Sequence, residues 1–214
     1  MKKLLLTLFV VASVSSLAAG DFNVYGKFGV DLNSKFSKIE DEDVTLPKKA
    51  KSGYSFFLEG TTTVASNTEF GAGIGYIARK GKNYSYDDDF HTPATKISGR
   101  MSSYNSIPLY LIAKYNFNTG TNFVPYVKFD LGYSFNRLKN ESEYENGKKI
   151  NFDVDFSKVT NGLYSGLAVG VEYNNFLTEL SYAYNRAKLK WEDGEKQKFD
   201  NKAIRLSIGY KFNL

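Results

Sequence analysis

Residues able to carry chemistry are sparse in this chain. Its single histidine, His91, precedes Ser98, Ser102 and Ser103 in sequence. A serine activated by a histidine is the pairing that acyl hydrolases and acyltransferases need. No local motif links these residues, and His91 reads as an ordinary loop histidine. The acidic runs Glu40-Asp41-Glu42-Asp43 and Asp87-Asp88-Asp89 offer oxygens to a hard cation such as Ca²⁺. Neither has calcium-loop spacing, so both read as solvated charge. Cysteine is absent, which removes disulfide and thiol chemistry. The Gly71-Ala72-Gly73-Ile74-Gly75 alternation lacks the Lys-Ser/Thr ending and the following helix of a phosphate-binding loop. The expectation is a chain with no catalytic residue, no cofactor and no metal.

A larger charged set stands at alternate positions inside apolar runs. Lys27, Arg79, Lys114, Lys128, Arg205 and Lys211 are matched by Asp31, Glu59, Glu69, Asp130, Glu172 and Glu179. An unpaired buried charge costs several kcal/mol, so equal numbers of each sign predict a network of ion pairs. The elements that must hold it are strands. Period-2 alternation recurs in eight segments. Their apolar faces read Phe22, Val24, Phe28, Val30, Leu32; Tyr54, Phe56, Leu58, Thr62, Val64; Phe70, Ala72, Ile74, Tyr76; and Ile107, Leu109, Leu111, Ala113, Tyr115. They continue with Phe123, Val127, Phe129, Leu131, Tyr133; Leu163, Leu167, Val169, Val171, Tyr173; Phe176, Leu180, Tyr182; and Ile204, Leu206, Ile208, Tyr210, Phe212, Leu214.

Ser66-Asn67, Asn118–Asn122 and Asn174-Asn175 are short connections built on Asn, which tolerates a left-handed backbone. Long polar segments lie between them, at about 35–52, 80–103, 137–160 and 188–200. Aromatics cluster beside the short turns (Phe70, Tyr115, Phe117, Phe123, Tyr173, Phe176, Tyr210, Phe212), as a membrane–water boundary favours. At the N-terminus, Lys2-Lys3, the apolar run Leu4–Val14 and Ser15-Ser16-Leu17-Ala18-Ala19 read as a secretory leader over 1–19, too short to span a bilayer as a helix. Its removal leaves 26 basic and 23 acidic residues, a balance that gives no reason to expect nucleic acid. Sixteen tyrosines and seventeen phenylalanines against four prolines favour strands. The fold expected of 20–214 is all-β: one eight-stranded antiparallel transmembrane β-barrel in an up-and-down meander, with its lumen filled by side chains. Inward glycines (Gly71, Gly73, Gly75, Gly166, Gly170) leave room for a narrow water path.

The chain resembles the small eight-stranded outer-membrane proteins, the group of the OmpA transmembrane domain, OmpX and Opa. The resemblance is carried by Ile107-Pro108-Leu109-Tyr110-Leu111, by the glycine-rich strands and by the Tyr210-Lys211-Phe212-Asn213-Leu214 terminus. It implies that Tyr210, Phe212 and Leu214 form an address for the barrel-assembly machinery, although Leu214 stands where that group usually ends in Phe. It also implies a cell outer membrane location, with short turns periplasmic and long loops extracellular.

Basic residues gather where strands leave the apolar band: Lys35 and Lys38; Arg79, Lys80 and Lys82; Arg137 and Lys139; Arg186, Lys188 and Lys190. The returning strands add Lys48, Lys49, Lys51, Arg100, Lys158, Lys198 and Lys202. They form a candidate rim facing lipopolysaccharide phosphates. The leading functional expectation is a non-enzymatic surface protein whose loops serve adhesion to a host or matrix ligand, or envelope integrity. Tyr84, Tyr86, Phe90, Tyr144 and Trp191 are candidate loop anchors. A small porin-like channel is the alternative, and a lipid-A-modifying enzyme using His91 is third.

Overall fold

The computed structural model describes residues 22–37, 52–81, 83–88, 95–100, 103–139, 143–145, 148–150, 159–190 and 195–213. Eight strands form the barrel, first to eighth: Phe22–Phe36, Ser52–Ala65, Thr68–Lys80, Ser103–Asn116, Phe123–Lys139, Gly162–Tyr173, Phe176–Asn185 and Asn201–Asn213. Each pairs antiparallel with its neighbours, and the first closes on the eighth from Asn23↔Asn213 to Phe36↔Asn201. Closure leaves no free sheet edge, the condition for strands to cross a lipid layer.

Alternation decides the two faces. Phe28, Phe56, Leu58, Leu111, Phe129, Leu167, Leu180 and Ile208 are exposed on the outside, while Tyr25, Lys27, Phe57, Ile112, Lys128 and Arg205 are buried inside. Thr62 departs from its outward neighbours. It is buried, and its register partners on both sides are Phe22 and Phe70. A bulge between Asp31 and Asn33 leaves Leu32 and Asn33 exposed and returns Ser34 to the interior.

Tight turns occupy 66–67 and 174–175, and Asn174 adopts φ 54°, a left-handed backbone that Asn accepts more readily than most residues. The 117–122 connection uses Gly120 at φ 70°. At the opposite end, the long polar segments carry further strands. Asn83–Asp88, Thr95–Arg100, Glu143–Glu145 and Lys148–Ile150 form a second, four-stranded sheet, joined between loops at Ile97↔Glu145. Lys188–Lys190 pairs with Lys196–Lys198 as a two-stranded ribbon. Antiparallel ladders run on past the apolar band because β-prone residues such as Tyr84, Tyr86, Ile97 and Tyr144 recur there.

Candidate functional site

The lumen is built in layers. Nearest the short turns, Lys114 pairs with Glu172 and lies 3.2 Å from Glu69, and Lys211 reaches Glu172 at 3.4 Å. Glu69 also accepts from the Tyr25 hydroxyl at 2.9 Å, from Thr61, and from Asn116 Nδ2 at 2.6 Å. The Lys114 ammonium stands 4.6 Å from the Tyr25 ring centre and 4.7 Å from that of Tyr126, a cation–π arrangement.

In the middle layer two ammonium groups serve three carboxylates. Lys27 lies 2.7 Å from Glu59 and 3.1 Å from Glu179. Lys128 lies 2.8 Å from Glu59, 3.2 Å from Glu179 and 3.3 Å from Asp130. Tyr110 donates to Glu59 at 2.7 Å and Tyr126 to Glu179 at 3.1 Å. Above comes an apolar belt containing Phe57, Ile77, Tyr110, Ile112 and Tyr164. The Phe57 ring stands 5.7 Å from Lys27 Nζ and 5.1 Å from the Arg205 guanidinium.

Toward the long loops, one carboxylate serves two guanidinium groups. Asp31 accepts from Arg79 Nε at 2.9 Å and from Arg205 Nε at 2.8 Å. Asn185 Nδ2 stands within hydrogen-bond distance of Ser106, Ser134 and Asn136 at this level. All twelve charged residues picked from the alternation thus lie in one stack. The middle layer carries one surplus carboxylate and the upper layer one surplus guanidinium. Arg79, grouped with the rim as well as the lumen in the sequence reading, is fully buried and belongs to the lumen alone.

A cap closes the long-loop end. Phe36, Tyr104, Leu138, Val159, Leu189 and Phe199 pack together over Arg79, with Phe36 and Phe199 stacked at 4.8 Å and the Arg79 guanidinium 5.8 Å from the Tyr104 ring. Asp200 latches the ribbon down, accepting from the Ala187 amide at 3.1 Å and from the Tyr184 hydroxyl.

Three of the inward glycines, Gly73, Gly75 and Gly170, make room for aromatic rings. A Cβ at Gly73 would stand 2.7 Å from the Tyr110 ring, one at Gly75 2.3 Å from Phe57, and one at Gly170 2.4 Å from Tyr126. The cavity left among Lys27, Glu59, Lys114, Lys128 and Glu179 measures about 10 Å³, the space of one water. A wider polar vestibule of about 480 Å³ opens at the short-turn end beside Asn23, Asn67, Asn116 and Lys211.

The outer membrane protein beta-barrel domain family model matches residues 4–212. The chain belongs to this outer-membrane β-barrel family. Uncharacterized protein PM1543 of Pasteurella multocida (strain Pm70) is 34% identical over 238 residues, spanning 99% of this chain and 98% of that one. Among solved structures, Neisserial surface protein A has 14% identity and a TM-score of 0.48, covering 89% of this chain and 97% of its own. OprG of Pseudomonas aeruginosa has 18% identity and a TM-score of 0.48, over 92% and 97%. The outer membrane enzyme PagL has 11% identity and a TM-score of 0.44, over 88% and 98%.

Elsewhere on this outer-membrane barrel, Lys35, Lys80, Arg137, Arg186, Lys188 and Lys190 are exposed on the rim. Lys38, Lys82 and the Lys139 side chain lie outside the described residues, as do His91, Ser102, the Ser98 side chain, the 40–43 acidic run and Leu214. Ser103 is buried at the start of the fourth strand. Tyr210 and Phe212 stand exposed at the short-turn end, their rings 4.9 Å apart, with Phe176 5.2 Å from Tyr210. No group of three or more potential metal ligands occurs among the described residues. Sequence reasoning missed the inward tyrosines (Tyr25, Tyr110, Tyr126) and the cap, having assigned large apolar side chains to the outer face. Their place in the inward register, two residues before Lys27, four before Lys114 and two before Lys128, was the available signal.

Proposed function

We propose that this outer-membrane barrel is a non-conducting, non-enzymatic scaffold that holds its long-loop end outward as an interaction platform. One observation carries the first half of this reading. The lumen is occupied in successive layers and capped by Phe36, Tyr104, Leu189 and Phe199, leaving about 10 Å³ among its middle charges. Opening a path for an ion would mean separating several buried pairs at once, each expensive to break.

The platform reading is supported by the second sheet, in which the 83–100 and 143–150 segments join through Ile97↔Glu145. Loops braced on a rigid frame are a recurrent way of presenting recognition residues. The closed lumen predicts silent planar bilayers with purified, refolded protein, and a steady single-channel conductance would overturn it. The platform predicts that cells bearing a barrel with 83–100 and 143–150 cut to tight turns lose adherence to host-cell or matrix surfaces, at matched surface levels. Unchanged adherence would leave the barrel an envelope component only.

A further inference from the structure

The two mouths of the lumen differ. The long-loop end is sealed by an apolar cap, whereas the short-turn end opens into a polar vestibule of about 480 Å³. That volume lies within the range of about 300–1,000 Å³ common to small-molecule sites. Every described residue lining it is polar, and four are asparagines: Asn23, Asn67, Asn116 and Asn213. The strands hold these side chains in place. Asn23 and Asn213 are directly opposed across the first and eighth strands. The backbone N–H of Asn116 donates to the Asn67 carbonyl at 2.8 Å, and that of Lys211 to the Asn175 carbonyl at 2.7 Å, so the rim is tied strand to strand. A site ordered before its ligand arrives loses little freedom on binding.

Two of the amides have unused bonding capacity. Asn23 is only 5% exposed, yet its side chain has no hydrogen-bond partner among the described residues. Asn116 Nδ2 donates to Glu69 at 2.6 Å, but its Oδ1 is buried without a partner. Buried polar groups are normally bonded, so unpartnered amides lining a cavity mark a place for a ligand group. Charge narrows what that ligand is. Beneath the vestibule, Lys114 and Lys211 are matched by Glu69 and Glu172. A phosphate or a further carboxylate would find no surplus cation there. The lining amides and hydroxyls both donate and accept, which suits sugar hydroxyls, and an amide pairs reciprocally with another amide.

We propose that the short-turn vestibule is a binding site for a neutral N-acetylated saccharide, with an acetamido group held by Asn23 and hydroxyls by Thr63, Asn67 and Asn213. The site lies at the mouth opposite the platform and does not depend on that reading.

Saturation-transfer NMR on the full barrel refolded in detergent tests it, with N,N′-diacetylchitobiose, cellobiose and inorganic phosphate as probes. Cellobiose carries hydroxyls in place of the acetamido groups. Diacetylchitobiose should bind saturably, cellobiose about tenfold more weakly and phosphate not at all, the tenfold reflecting one lost amide pair. Asn23→Ala should weaken diacetylchitobiose by the same factor. Asn213→Trp, which narrows the mouth from an exposed position, should abolish binding. Lys188→Gln, at the opposite end, should leave it unchanged. Circular dichroism identifies any variant that has failed to fold. No saturable binding by the unaltered barrel, or native affinity in folded Asn23→Ala and Asn213→Trp barrels, would overturn the proposal. Equal affinity for cellobiose would overturn the acetamido assignment. Two sources share this chemistry, a cell-wall glycan strand and a free oligosaccharide. Co-sedimentation of the barrel with insoluble wall glycan, lost in Asn23→Ala, assigns the first, and soluble binding without co-sedimentation assigns the second.

Discussion

Lys114 faces Lys128 across the fourth and fifth strands, and Lys188 faces Lys198 across the ribbon. The two arrangements have the same cross-strand geometry and opposite surroundings. Inside, Glu69 and Glu172 close on Lys114, while Glu59, Asp130 and Glu179 close on Lys128. Outside, Lys198 is 68% exposed and meets Asp200 at 3.4 Å. Desolvation accounts for the difference. A buried ammonium must find its counter-charge within the fold, whereas an exposed one can draw it from water, salt or a headgroup. The interior is therefore specified residue by residue, whereas the exposed lysines depend far less on any one partner.

That contrast breaks if interior and exterior lysines prove equally dispensable. Lys128→Met should cost about 3–5 kcal/mol in reversible unfolding from lipid vesicles, because three buried carboxylates lose a shared partner. Lys188→Met should stay within about 0.5 kcal/mol in the same assay. Equal effects would mean that the lumen is wetter than its packing shows. Tyr110→Phe sharpens the point by removing a single donor from Glu59. The expected loss is about 1.5–3 kcal/mol, read as a lower denaturant midpoint at unchanged slope.

Packing offers a subtler discrimination. Gly75→Ala places a Cβ 2.3 Å from the Phe57 ring, and the expected cost is about 1–3 kcal/mol. Combining it with Phe57→Leu should recover part of that loss. A purely additive double variant would show that the two sites do not share the space. The smallest effect belongs to the outer wall. Lys202→Gln, relieving its opposition to Lys35, should stabilise the detergent-folded barrel by a few tenths of a kcal/mol. An unchanged midpoint would show that solvent already screens the two ammonium groups from each other.

Much of this architecture was legible along the chain. The eight alternating segments and the Asn-based turns follow from local rules, because successive side chains on a strand point to opposite faces. The charge alternation likewise marked Lys27, Glu59, Lys128 and Glu179 as one face of their strands. The same alternation was under-used for Tyr25, Tyr110 and Tyr126, since an aromatic sharing the inward register of Lys27, Lys114 or Lys128 was not counted as a lumen residue. The cap was less accessible still. Phe36, Tyr104, Leu138, Val159, Leu189 and Phe199 come from separate parts of the chain and meet only because the strands continue past the band.

By itself the sequence determined the number of barrel strands, the face most of their side chains take and the balance of interior charge, because all three depend on residue type and a period of two. Tertiary structure alone decided the partners. Lys27 bonds Glu179, 152 positions away, and Arg205 bonds Asp31, 174 positions away. Those meetings depend on register and stagger around a closed wall, which no local spacing contains. The same closure set the layer in which each charge sits, the glycines that admit Phe57 and Tyr110, and the ribbon that raises the lysine pairs above the band.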